Sequence, residues 1–273
     1  MKYTITCDTH THTLYSRHAY STVNENVQAA AARGLGLLAI TDHFSDMLRG
    51  VGDVRDYQYL LNMEMLPRRW NGVALLHGVE ADIIDLEGHL YGHEIVLHRG
   101  VSESTCAPIT LEDRILPVQD YVIASVHGKA FADGASLAAT TQMYCRALEH
   151  PKVFVLGHIG RTGVPFDTDE VLLCAKAHGK LIELNEHSFD KEGEGTRRCR
   201  EIAVRCAELD VSVSLGSDAH VCTAVGRFAR TLAMLTEIGF PEKLIASRSP
   251  QTFLEALRAS GVFLGFGEEP EED

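Results

Sequence analysis

Two histidines near the N-terminus are the first residues whose type and spacing indicate chemistry. His10 and His12 lie in the run Cys7-Asp8-Thr9-His10-Thr11-His12. In an extended strand, side chains at positions i and i+2 point to the same face, so both imidazoles could bind one ion. Neutral imidazole suits zinc, iron and manganese. One such pair predicts little alone, and its weight depends on the residues that the fold brings beside it.

The segments that must position these histidines alternate between strand and helix patterns. Runs of apolar and β-branched residues predict strands at 3–6, 37–40, 73–80, 121–126, 153–156, 181–184 and 211–215. Spacing and capping signals predict helices at 22–33, 53–69, 135–149, from 168 or 169 to 178, at 196–209, 223–237 and 250–259. Such alternation indicates an α/β fold with a parallel sheet. We expect a TIM-like barrel of the (β/α)8 type with one unit missing or distorted, and an open doubly wound sheet is the alternative.

Residues 82–118 interrupt this alternation. Ile95-Val96-Leu97 can form one arm of a hairpin, and Pro108 and Pro117 divide the rest. We interpret 82–118 as an insertion across one face of a single domain of residues 1–267, followed by an acidic tail at 268–273. Because the loops of a barrel determine which substrate enters, the predicted role of the insertion is that of a partial lid.

Composition restricts the classes of function. The chain has 273 residues, 45% of them hydrophobic, and contains no apolar run as long as a membrane span. Its net charge of −13 disfavours a long polyanion such as nucleic acid as a partner, whereas a small anion beside a metal ion is compatible. The seven cysteines form no Cys-x-x-Cys motif, and the N-terminus lacks a signal-peptide pattern. We therefore expect reduced thiols, a buried Cys7 and a cytoplasmic protein.

Side chains that bind divalent metals recur at the predicted carboxyl ends of the strands. In chain order they are His10 and His12, His43, Glu80, His127, His158, and finally Asp218 and His220. In a parallel barrel these ends form the active-site face. Histidines with purely structural roles would have no reason to follow strand ends. The pattern therefore predicts a metal site at this face.

These residues also resemble the motifs of a known family. His10-x-His12, Thr41-Asp42-His43, Glu80, His127, His158 and Gly216-Ser217-Asp218-Ala219-His220 resemble the PHP superfamily, the polymerase and histidinol phosphatase metallohydrolases. Arg17-His18-Ala19-Tyr20-Ser21-Thr22 and Glu183-Leu184-Asn185 resemble its stand-alone bacterial branch of trinuclear zinc phosphatases. The resemblance covers residues 4–259. It implies a distorted (β/α)7 barrel with its active site at the C-terminal ends of the strands.

The resemblance further implies three divalent metal ions, with zinc as the first choice and manganese or iron as alternatives. His10, His12, Glu80 and Asp218 would hold the first ion, Glu80, His127 and His158 the second, and His18, His43 and His220 the third. Glu80 and Asp218 are the ligands assigned a catalytic role, Glu80 as the bridge between two ions. A hydroxide that bridges two ions would attack the phosphorus of a small phosphate monoester.

Other residues near these motifs have two interpretations each. Arg17, Lys129 and Arg161 are predicted to bind the substrate phosphate, or to be ordinary surface charges. Asp8 and Asp42 either orient neighbouring ligands or cap a turn. His89, His93 and His98 could form an extra metal site, although solvent-facing loop histidines are the favoured interpretation.

The predicted function is a metal-dependent phosphoesterase that acts on small phosphate monoesters. A histidinol-phosphate phosphatase would use the same chemistry on a named substrate. A DNA-end nuclease of the same superfamily is disfavoured by the acidic charge. A metal-bound regulatory protein without turnover is disfavoured by the full ligand set. A metal-dependent C–N hydrolase would share the barrel but not the three-metal pattern.

Overall fold

A curved parallel sheet places the candidate ligands. The computed structural model describes residues 3–46, 53–102 and 104–262, so the predicted acidic tail at 268–273 lies outside them. The described strands are β1 (Cys7–Asp8), β2 (Leu37–Phe44), β3 (Arg69–Trp70), β4 (Val73–Asp82), β5 (Val96–Arg99), β6 (Thr105–Thr110), β7 (Tyr121–Ser125), β8 (Val153–Leu156), β9 (Leu181–Asn185) and β10 (Val213–Gly216). Seven of them pair in parallel in the order β1-β2-β4-β7-β8-β9-β10, and β3 pairs antiparallel with β4.

The sheet nearly closes into a barrel between its first and last strands. The backbone N–H of Asp218 donates to the carbonyl of His10 at 2.8 Å, and the N–H of His12 donates to the carbonyl of Ala219 at 2.9 Å. Thr11 and Ala219 form a parallel bridge there. The closure confirms the distorted TIM-like (β/α)7 barrel and excludes the open sheet.

Helices follow most strands and cover the outside of the barrel. Those described are α1 (Val23–Ala32), α2 (Gln58–Leu61), α3 (Leu111–Ile115), α4 (Leu137–Glu149), α5 (Thr168–Ala177), α6 (Glu194–Leu209), α7 (Ala229–Glu237) and α8 (Pro250–Ala259). The capping box predicted at Thr22 and Glu25 is present at the start of α1. Among the described residues, no helix is both long and apolar enough to cross a membrane.

The lower half of the barrel is filled by apolar side chains. Leu37, Leu76 and Ile123 belong to an interior cluster that also contains the buried Cys7, as predicted. Phe253 of α8 packs edge-on against Tyr121 and Phe154 of this cluster. Helix α8 therefore caps the amino ends of the strands, which leaves the carboxyl ends, where the histidines lie, as the working face.

Three predicted elements differ from the structure. Residues 3–6 are not a strand, because Thr6 bonds through its backbone to Arg248 while the Tyr3 hydroxyl donates to buried carbonyls. The single helix predicted at 53–69 is instead a series of short turns around α2, and Asn62 leaves the helical conformation. Helix α7 begins at Ala229 rather than 223, since the side chain of Glu186 accepts hydrogen bonds from the first turn of α7.

The insertion is a small compact unit. Strands β5 and β6 form an antiparallel hairpin, as predicted for the arm at 95–97, and α3 follows. Tyr91 anchors the insertion, because its hydroxyl lies 2.8 Å from that of Tyr57 and both rings pack edge-on against Phe44. The insertion thus packs beside the segment that follows β2, near the carboxyl ends of the strands.

Candidate metal centre

The structure brings the predicted ligands together at the carboxyl ends of the strands. His43 and Glu80 are register partners on β2 and β4. The ring centroid of His12 lies 4.3 Å from those of both His43 and His220. His18 reaches the same cluster from the loop before α1, with its ring 4.6 Å from that of His220. Residues from six strand ends thereby form one polar cluster above the apolar interior.

Glu80 lies at the middle of this cluster and is only 1% exposed. Its Oε2 atom is 3.3 Å from Nε2 of His10 and 2.9 Å from Nδ1 of His43. Its Oε1 atom is 2.8 Å from Nε2 of His158 and 3.5 Å from Nε2 of His127. The two carboxylate oxygens therefore face two different groups of histidines, which is the geometry required of a bridging ligand.

Acceptors behind four of the histidines determine how their rings are oriented. Nδ1 of His10 lies 2.7 Å from Glu183, that of His127 lies 2.6 Å from Asp82, and that of His220 lies 2.9 Å from the Asp218 carbonyl. Nδ1 of His12 lies 3.1 Å from the Ser16 hydroxyl, which itself donates to Asp42. In a neutral ring each Nδ1–H donates to its acceptor, so the lone pair is on Nε2 and points into the cluster.

Ring nitrogens of the cluster lie at short distances from one another. Nε2 of His10 lies 3.0 Å from Nε2 of His12, and Nε2 of His18 lies 2.9 Å from Nε2 of His220. For neutral His10 and His12, two acceptor lone pairs face each other and repel unless a cation lies near both. Both ring nitrogens of His43 and the Oε2 atom of Glu80 are buried and make no hydrogen bond to any described residue. This donor set, rich in imidazole and carboxylate, fits zinc and similar divalent ions.

Three groups within the cluster have ligand atoms within 4.8 Å of one another. They are His10, His12 and Asp218; His43, Glu80 and His127; and His12, His43 and His220. The first group contains three of the four ligands implied for the first ion. His43 belongs to two groups and lies beside Glu80 as well as His220.

The charges of the cluster favour cations. Burial raises the pKa of Glu80, but His10 and His127 outweigh it and hold the pKa well below its usual value. Burial also raises the pKa of Asp218, and His10 lowers it well below its usual value. Burial lowers the pKa of His127, yet Glu80 and Asp82 raise it to about 9. Both carboxylates are therefore ionised at neutral pH, and a metal ion must compete with a proton for His127.

The predicted phosphate-binding residues lie in different environments. Arg161 lies at the centre, where Nη2 is 3.0 Å from Asp218 and Nη1 is 3.5 Å from Asn185. Arg17 and Lys129 are exposed. Arg161 is therefore the basic side chain that the structure places against a candidate ligand.

Two buried aspartates lie behind the cluster and have different roles. Asp42 accepts hydrogen bonds from Thr13 and from Ser16, and so holds the hydroxyl that faces His12. Asp8 instead accepts from the backbone N–H groups of Ser217 and Gly226, which fixes the turn after β10. For Asp42 both predicted interpretations are therefore combined, whereas Asp8 stabilises a turn.

The motif Glu183-Leu184-Asn185 assigns no role to Glu183, and the structure shows one. Its Oε1 faces His10, and its Oε2 accepts from the backbone N–H of His158 at 2.9 Å. A Cβ atom at Gly216 would come within 2.3 Å of Glu183 Oε1, which explains the glycine at this position. In the sequence, the feature that could indicate this role is an acidic residue inside an otherwise apolar strand.

Comparisons with known proteins agree with this geometry. A family model described as PHP domain matches residues 8–209. A probable phosphatase of Caldanaerobacter subterraneus subsp. tengcongensis is 36% identical over 269 residues, which cover 98% of this chain and 97% of that protein. A probable phosphatase of Clostridium botulinum is 37% identical over 261 residues, which cover 96% of this chain and 97% of that protein.

A solved structure with the same fold is that of histidinol phosphate phosphatase from Lactococcus lactis, complexed with zinc, L-histidinol and phosphate. It has a TM-score of 0.55 and 16% sequence identity, and the match covers 86% of this chain and 94% of that chain. At this identity the likeness shows a common barrel.

The contact between Glu183 and His10 predicts the effect of one substitution. Glu183→Gln keeps the shape but removes the charge that orients His10, so zinc affinity should fall by about 10–100-fold in competition with a chromophoric chelator. Glu186→Gln is the matched control, because Glu186 holds the start of α7 and should change thermal stability rather than zinc affinity. Equal zinc affinity in Glu183→Gln and the unmodified protein would contradict the orienting role.

Proposed function

The chain belongs to the PHP domain family, and we propose that it hydrolyses small phosphate monoesters at a centre of three divalent metal ions. Its class as a phosphatase follows from the family and from the relatives that match nearly its whole length. The observation that supports the three-ion centre is the convergence of imidazole nitrogens in one cluster that has the buried carboxylate of Glu80 at its middle.

The proposed ligands divide among three ions. His10, His12, Glu80 and Asp218 would hold the first, Glu80, His127 and His158 the second, and His18, His43 and His220 the third. Support comes from the contacts of the two Glu80 oxygens and from the approach of His18 to His220. Zinc suits this donor set, and the Lactococcus lactis phosphatase was solved with zinc.

When bound, such ions supply an activated water near neutral pH and neutralise charge on the phosphoryl oxygens. The protein's own contribution is to hold the ligands in place. Glu183, Asp82 and the Asp218 carbonyl keep protons on the outward nitrogens of three histidines. Arg161 has five N–H donors, so it can bind a phosphoryl oxygen while still paired with Asp218.

A small substrate fits the charge of the chain better than a nucleic acid. The net charge of −13 opposes a long polyanion, whereas a monoester needs only local cations. Histidinol phosphate remains one member of the proposed class, because the resemblance to the Lactococcus lactis enzyme is one of fold.

The insertion of residues 82–118 is proposed to select among phosphate monoesters. A cavity of about 260 Å³ lies between the β5–β6 hairpin and residues 53–55, in the loop after β2. Shortening the hairpin should change the ratio of kcat/KM between a compact and a bulky monoester by about tenfold, the scale of one apolar contact. Metal content should stay unchanged. An unaltered ratio across a broad panel would exclude a role in selection.

The metal content of the protein tests the three-ion centre directly. Protein loaded with zinc and then gel-filtered should contain at least three zinc ions per chain, measured by elemental analysis. Chelation should abolish phosphatase activity and lower the melting temperature, because each ion at 100 times its Kd stabilises the folded state by about 2.7 kcal/mol. One ion or none at saturation would contradict the proposal.

Glu80→Gln tests the bridging carboxylate. The substitution preserves shape but removes a charge and a good metal-binding oxygen, so kcat/KM should fall by more than about 100-fold, beyond the loss typical of residues behind the ligands. Circular dichroism should show an intact barrel. Glu87→Gln in the exposed turn after β4 is the matched control and should retain activity. Near-normal turnover with full metal occupancy in Glu80→Gln would reject the bridging role.

A further inference from the structure

A second group of metal-binding side chains lies outside the centre, at the start of the insertion. Asp85, His89 and His93 each bring one ligand atom within 4.8 Å of the others. They follow β4 by a few residues, in the turns between Asp82 and β5. From this geometry we propose a separate structural metal site, formed by Asp85, His89 and His93, that binds one zinc or similar divalent transition-metal ion.

The positions of the two imidazoles support this site. Their rings are stacked, with centroids 4.1 Å apart and an interplanar angle of 11°. Nδ1 of His89 lies 2.8 Å from Oδ2 of Asp85. Nδ1 of His93 is buried and has no hydrogen-bond partner among the residues that the structure describes. A buried ring nitrogen without a partner is costly, and a bound ion nearby would give it one.

The backbone around these side chains is held firmly in place. Ile83 and Leu90 form an antiparallel bridge, and the N–H of Ile84 donates to the carbonyl of His89 at 3.0 Å. Gly88 presses against α4, since a Cβ atom there would lie 2.6 Å from the Met143 carbonyl. Little rearrangement is therefore needed to form the site, and this limits the entropic cost of binding.

The second carboxylate oxygen of Asp85 stabilises the turn that carries His89. Oδ1 accepts from the N–H of Glu87 at 2.9 Å and from that of His89 at 3.1 Å. Burial raises the pKa of Asp85, but hydrogen bonds from His89 outweigh it and lower the pKa below its usual value. The carboxylate is therefore ionised at neutral pH and brings negative charge to the two imidazoles.

The donor set determines the class of ion. Two imidazoles and one carboxylate suit zinc and neighbouring transition metals better than magnesium or calcium, which prefer all-oxygen sites. The His89 side chain is 49% exposed, so water can complete the coordination. Glu94, whose Oε1 lies 3.7 Å from Nε2 of His93, offers a further oxygen at the surface.

An ion at this site would fix the backbone at the start of the insertion. Asp82, three residues before Asp85, accepts from both Ser45 and His127. An ion on Asp85, His89 and His93 would hold the chain in place directly after this contact. It would thus stabilise the insertion without taking part in the reaction.

Zinc binding by substituted proteins tests the site. The unmodified protein, His89→Gln, His93→Ala and the control His98→Ala are equilibrated with buffered zinc, and bound zinc is counted per chain. His98 is exposed in the same insertion and lies outside the cluster. The expected result is one zinc ion fewer in His89→Gln and in His93→Ala, with no loss in His98→Ala. Because only differences between variants matter, the result is independent of how many ions the central cluster binds.

Amide hydrogen exchange distinguishes loss of this site from loss of zinc caused by unfolding. Zinc should slow amide hydrogen exchange across residues 83–95 in the unmodified protein and in His98→Ala, but not in His89→Gln. Asp85→Asn keeps an oxygen for the two turn hydrogen bonds and should weaken zinc binding at this site while remaining folded. Equal zinc content in the unmodified protein, His89→Gln and His93→Ala, or an equal loss in His98→Ala, would overturn the proposal.

Discussion

The carboxylate of Glu80 is buried within a protein interior, and an ionised group there requires compensating positive charge close by. The hydroxyl of Ser125 donates to one of its oxygens at 2.7 Å, and histidines from four loops or strands face the two oxygens. The histidines carry positive charge only when they are protonated. When they are neutral, bound cations must supply the charge. The arrangement of the upper barrel follows from this requirement, because each neighbouring strand contributes a side chain that turns toward Glu80.

A second layer of polar side chains, behind the histidines, accepts hydrogen bonds from their rings. Glu183 and Asp82 hold His10 and His127, and Ser16 links His12 to Asp42. These acceptors are buried. Asp82, Ser16 and Asp42 come from strands or loops that already hold a ligand, whereas Glu183 comes from β9, which holds none. A small residue is then required where two such side chains cross, as at Gly216.

The positions of most candidate ligands can be predicted from the sequence, because apolar runs show where the strands end. Apolar runs such as 37–40 are followed within three residues by a histidine, and in a parallel barrel the carboxyl ends of the strands meet. The role of Glu183 was not visible, because its partner His10 is distant in sequence and only the closure between β10 and β1 brings them together. The helical spacing of the segment 53–69 predicts one helix. Periodicity cannot show that the chain leaves the helix at Asn62 to reach β3.

Helix α8 gives the barrel a closed floor, with Phe253 wedged against Tyr121 and Phe154. Because the described residues close the amino end, molecules reach the ligand cluster from the carboxyl ends of the strands. A phosphate ester that enters there and the alcohol and phosphate that leave share this route. The loops at this end therefore control access to the cluster, whereas the strands hold its ligands in place.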